Sequence, residues 1–175
     1  MKRGWLLAVL LLALLTGCGG RAQEPKPTPT PVIIEQWAVA AEASSEYGKP
    51  DWSVRRLLSP PDVEGCADDP HAWSSARGNG LESVDLHYEQ PVRPTRIRIY
   101  QNFGRGAVAR VYLLDEAGEA HLVWQGTDEG ECPGVLTIEV PGVDYLASGV
   151  RVELDESRTG FWNEVDAVAL IGAKP

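Results

Sequence analysis

Between residues 83 and 171, apolar and polar side chains alternate with a period of two. Residues 83–88 (SVDLHY) and 95–100 (TRIRIY) place Val84 and Leu86, then Ile97 and Ile99, on one face, with charged and polar groups on the other. The pattern continues through 108–113, 120–124, 136–140, 150–154 and 165–171, and an opening strand is expected within 33–41. Alternation over five or six residues predicts half-buried antiparallel strands, one face to the core and one to water. Breaker clusters separate them, at 90–94 (QPVRP), 115–118 (DEAG), 133–134 (PG) and 141–142 (PG). The segment 115–118 has the length of a hairpin loop. About eight strands with such turns predict an all-β chain, an eight-stranded antiparallel jelly-roll sandwich. Helix is expected only briefly, near 53–58 or 143–147.

The N-terminus follows a different pattern. Lys2 and Arg3 precede an unbroken apolar run over 5–15, and Leu15-Thr16-Gly17-Cys18 closes it. Eleven residues at about 1.5 Å each reach about half of a ~30 Å hydrocarbon core, so the run is too short to stay as a spanning helix. It reads as a bacterial lipoprotein signal over 1–17, with Cys18 as the lipidated residue. The alternative is an ordinary secretory signal with Cys18 incidental. Residues 18–31 mix Pro with Thr and Lys and carry almost nothing apolar, which predicts an extended spacer. One domain over 32–175 is then left, held at the extracytoplasmic side of a bacterial envelope by lipid alone.

The chain carries a formal charge of −9, and removing Lys2 and Arg3 takes it to −11. That balance argues against nucleic acid and against electrostatic docking to anionic lipid. With Cys18 assigned to lipid, Cys66 and Cys132 remain as a pair in an oxidising compartment, both in Gly-, Pro- and acid-rich loops. A disulfide there would contribute about 3–4 kcal/mol. Two free thiols or two metal ligands are the alternatives, although no Cys-x-x-Cys spacing supports a metal.

Several stretches, taken in order, resemble a known group. They are 43–48 (ASSEYG), Trp52-Ser53, 61–63 (PDV), 72–75 (AWSS), 91–94 (PVRP), 102–108 (NFGRGAV) and 162–168 (WNEVDAV). Together they are similar to the discoidin, coagulation factor 5/8 C-terminal type of galactose-binding-like domain. The resemblance covers nearly all of 32–172. It implies an eight-stranded jelly roll, a binding role and often a structural calcium ion. An early acidic loop meeting a late glutamate would be the ion's place, which points to Asp62, Asp68 and Glu164. Where the related pattern commonly reads Asn-Pro-Gly-Ala, this chain has Gly104-Arg105.

No catalytic constellation assembles. His71, His87 and His121 are isolated, no Gly-x-Ser-x-Gly elbow occurs, and Gly78-Asn79-Gly80 lacks a following helix pattern. Asp85, Glu139 and Glu153 read as solvated strand faces. The leading expectation is a non-catalytic binding module, with carbohydrate as ligand. A protein-interaction or envelope-structural role is the alternative, and a hydrolase the less favoured one. Tyr47, Asn102, Phe103 and Arg105 are the candidate ligand contacts. The first and third offer apolar faces, Asn102 a paired donor and acceptor, and Arg105 a forked donor on an exposed turn. Trp73 and Trp162 read as core-filling indoles, with stacking platforms as the alternative. Trp37 and Trp124 read as structural.

Overall fold

The computed structural model describes residues 30–175. The signal at 1–17, Cys18 and spacer residues 18–29 lie outside the described residues. Among the described residues nine strands form: β1 (Ile33–Trp37), β2 (Ala40–Ala43), β3 (Trp73–Ser74), β4 (Leu81–Phe103), β5 (Val108–Asp115), β6 (Ala120–Gln125), β7 (Gly134–Glu139), β8 (Ala147–Asp155) and β9 (Glu164–Ala173). All of their pairings are antiparallel. Among the described residues the helices are 3₁₀ turns, at Val54–Leu57 and Glu156–Arg158.

β4 joins the two layers. Its first half pairs with β2 and β8, and β8 continues through β5 to β6. Its second half lies between β7 and β9, and β9 carries β1 and β3 on its far side. The two strands expected at 83–88 and 95–100 are therefore one, and the breaker cluster at 90–94 is where the chain changes layer. Pro91 falls in the register shift between His87 and Val92, where no ladder donor is required. The opening strand is split instead, with β1 in one layer and β2 in the other. Nine strands thus replace the eight expected. Residues 143–147 form no helix.

The alternating positions fill the core as expected. Val84, Leu86, Ile97, Ile99, Val111, Leu113, Val150 and Val152 are fully buried between the layers. Their outward neighbours carry cross-strand ion pairs: Arg151 with Asp85, Arg96 with Glu139 and Arg110 with Glu153. Such surface pairs contribute at most about 1 kcal/mol each. β9 is covered on both faces along its whole length. Its register slips between Ala167 and Val165, leaving Asp166 as a bulge residue opposite the step from Tyr100 to Gln101. The bulge turns the buried Asp166 carboxylate toward the 60s loop, where it accepts the backbone N–H of Asp62 and Val63.

Cys66 and Cys132 form a disulfide, with Cα atoms 5.3 Å apart. It ties the acidic 60s loop to the segment entering β7.

Candidate functional site

The ends of β2, β4 and β8 and the starts of β5 and β9 meet at one end of the sandwich. There an open cleft is lined by Tyr47, Trp52, Asp68, Ser74, Phe103, Trp162 and Glu164. Tyr47 stands edge-on to Trp52 at 5.4 Å and to Trp162 at 5.9 Å between ring centroids. Phe103 meets the exposed Phe161 in the same manner at 6.3 Å. Tyr47 is 55% exposed and Trp162 39%, so these rings present apolar faces to solvent.

Backbone geometry sets those rings in place. Trp52 adopts a φ of +52°, a left-handed conformation that costs an L-residue about 1–2 kcal/mol. It is held there by its N–H to Pro70 O and by Ser74 N–H to its own carbonyl. The Trp162 backbone is clasped by two glycines. A Cβ on Gly78 would lie 2.6 Å from Trp162 N, and one on Gly104 would lie 1.8 Å from its carbonyl oxygen. Gly104, at φ +57°, also occupies a conformation suited to glycine.

Two carboxylates form the floor. The Trp52 indole N–H lies between them, donating to Asp68 Oδ1 at 2.8 Å and to Glu164 Oε1 at 3.2 Å. Glu164, first residue of β9, is 1% exposed, and its Oε2 accepts from Asp69 N and from Asn102 Nδ2. Burial, with the Asp68 carboxyl beside it, pushes the Glu164 carboxyl up to about 7. Burial likewise raises Asp166 and Glu156.

The residues expected from sequence divide at this point. Tyr47 and Phe103 converge on the cleft. Asn102 is buried beneath it, its amide spent on Glu164 and on Ala67 O. Arg105 is not an exposed turn arginine: only 10% of its side chain is accessible, and its guanidinium grips the buried Asp128 through two nitrogens. It also donates to Glu131 O. Asp128 lies 23 residues downstream, so local turn chemistry gave no sign of this pairing.

Of Asp62, Asp68 and Glu164, expected to hold calcium, the last two lie side by side on the floor. Asp62 meets the neighbouring network through its backbone N–H, and the Glu164 oxygens face N–H donors. Among the described residues, the ligand-type side chains that cluster within 4.8 Å are Asp115, Glu119 and His121 on the β5–β6 hairpin. In that cluster Asp115 closes the turn by accepting from Ala117 N, Glu119 N and His121.

Trp73 is fully buried, as read, whereas Trp162 is a cleft wall and not a core filler. Trp52 belongs to one of the resembling stretches but not to the expected ligand contacts. Both rings follow Gly- and Pro-containing breakers (48–51 and 160), outside any alternating strand, which is the available signal for an aromatic at a loop end.

A family model described as Pappalysin-1, SD scarf domain, C-terminal, matches residues 30–175. The fold is galactose-binding-like. The carbohydrate-binding module of AlyQ, solved with 4,5-unsaturated mannuronic acid, superposes with a TM-score of 0.60 at 15% identity, over 78% of this chain and 97% of that one. Chitosan-binding module 1 from a chitosanase/glucanase of Paenibacillus sp. IK-5 gives 0.54 at 18%, over 75% and 92%. Allantoicase from Saccharomyces cerevisiae gives 0.59 at 15%, over 80% of this chain and 43% of that one. No curated protein matches by sequence.

Two outcomes follow from the geometry. Arg105→Ala leaves the buried Asp128 without its cation, so unfolding free energy in denaturant titrations should fall by about 3–5 kcal/mol. Between the ordinary carboxyl value of 4.5 and about 7, the folded chain keeps the Glu164 proton that the unfolded chain has released. Stability should therefore fall as pH rises across that window. Glu164→Gln should flatten that part of the profile, read as melting temperature against pH.

Proposed function

We propose that this chain, which belongs to the family of Pappalysin-1 SD scarf C-terminal domains, is a non-catalytic carbohydrate-binding module presented at a cell surface. The observation that carries this reading is the cleft at the sandwich end, where Tyr47, Trp52, Phe103 and Trp162 surround two carboxylates. Aromatic faces stack on the C–H faces of pyranose rings, and flanking polar groups fix ring orientation. The carbohydrate modules of like fold support the same ligand class. Fold alone does not assign function, so the cleft bears the weight.

The carboxylate arrangement supports binding over hydrolysis. Glycoside cleavage uses two carboxyl groups flanking the scissile bond. Asp68 and Glu164 lie side by side against one indole nitrogen. The N-terminal pattern supports lipid anchoring through Cys18, with the Pro-rich spacer holding the domain away from the membrane.

A glycan array probed with the full-length chain tests the ligand class. Trp162→Ala and Tyr47→Ala should each weaken binding of the retained glycans by about tenfold, a loss of roughly 1.4 kcal/mol. The melting temperature should change little, because both rings are substantially exposed. Absence of any glycan signal, or variants that bind as the parent does, would remove this reading. For the anchor, Cys18→Ser should abolish lipid labelling and release the protein from the membrane fraction. Retention of the variant under high salt would count against lipidation.

A further inference from the structure

We infer, resting on the glycan reading above, that the ligand of this cleft is a sugar bearing a protonated primary amine, its ammonium seated against Asp68 and Glu164. The cleft has a charge imbalance that a neutral sugar would leave standing. Of its seven lining side chains four are aromatic, two are acids and none is basic. Of the basic residues on the surrounding loops, Lys49 pairs with Glu46, Arg56 with Asp51, Arg105 with Asp128 and Arg158 with Asp155, while Arg77 lines a separate pocket beside Trp162. Among the described residues, neither Asp68 nor Glu164 has a lysine, arginine or histidine partner.

An ammonium supplies what the site lacks. It carries the compensating charge and three N–H donors for carboxylate oxygens. The faces of Trp52, Trp162 and Tyr47 attract a cation through their ring quadrupoles, more strongly in a partly desolvated cleft. N-acetylation of the same sugar removes the charge and two of the donors. A uronic acid would set a further carboxylate against this acidic floor. Quaternary ammonium would keep the charge but could not donate to the floor. The order of preference is thus amino sugar, then acetylated sugar, then uronate.

The test is calorimetric titration of the full-length chain, at about pH 6.5, with tetramers of glucosamine, N-acetylglucosamine and galacturonate. The glucosamine tetramer should bind at least about tenfold more tightly than its acetylated counterpart. The preference should shrink as salt rises from about 50 mM to about 500 mM. Asp68→Asn, at an exposed position whose amide oxygen still accepts the Trp52 N–H, should collapse the preference while leaving stacking intact. Trp162→Ala should weaken both neutral and cationic sugars. Equal binding of the two tetramers, unchanged in Asp68→Asn, overturns the amine inference and leaves the glycan reading standing. Failure of all three tetramers and of a wider neutral glycan panel removes both. Tighter binding of an oligolysine peptide than of the amino sugar would overturn the sugar assignment, because the acid floor would then serve a protein ligand.

Discussion

Burying the Glu164 carboxylate is the constraint on which the functional end of this domain depends. A carboxyl group 1% exposed at the first position of β9 is costly unless donors meet it. Its donors come from three separated parts of the chain: Trp52 after β2, Asp69 in the acidic loop and Asn102 at the end of β4. Asn102 also holds Ala67 O, so the loop carrying Asp68 is fixed by the same hub. The cleft is a consequence. Its floor is the hub, and its walls are aromatic residues on the segments the hub draws together.

A second polar network links this hub to the disulfide-braced edge. Asp128 accepts from Arg105 and from Gln101; Gln101 accepts from Asn163; Asn163 donates to Gly104 O. The Asp128 contacts join the end of β4 and the turn after it to the loop before Cys132, and the Asn163 contacts join the same segments to the start of β9. The Cys66–Cys132 bridge then returns the connection to the acidic loop. In the chain-entropy account, closing a loop of 66 residues contributes about 4 kcal/mol, mainly by restricting the unfolded chain. In the folded chain the loops are already positioned by buried hydrogen bonds. Covalent bracing and hydrogen bonding thus act on the same acidic loop.

The strands were legible because their burial is one-sided. In β4, β5 and β8 the core face and the water face alternate, so sequence and burial share a period of two. Continuity was not legible. Pro91 and Pro94 read as an interruption, but at a register shift they serve as the crossing between layers. β9 ends in a nearly unbroken apolar run, which signalled a strand; its burial on both faces follows from the loops that cover it. At the site, Tyr47 and Phe103 could be found as aromatics beside turns. Arg105 could not, because its environment is made by Asp128, across a strand pair. Trp162 was misread because a large indole near a strand fills a core more often than it walls a cleft, and the glycines that expose it are distant in sequence.

The distribution of acids adds a last step. On the sheet faces Asp85, Glu139 and Glu153 each meet an arginine across the ladder. In those places the acidic surplus of the chain is locally neutralised and has little recognition value. At the sandwich end the pattern reverses: Lys49, Arg56 and Arg105 are drawn to other acids, and Asp68 and Glu164 share a neutral indole donor. A dipole offsets two carboxyl groups less completely than a full cation does, so the cleft keeps a negative potential inside aromatic, low-dielectric walls. Raising the Glu164 carboxyl toward neutrality is the protein's own partial relief of that field. Bound cationic charge would relieve it further and return the carboxyl to its ionised form, coupling ligand binding to proton release at the floor of the cleft.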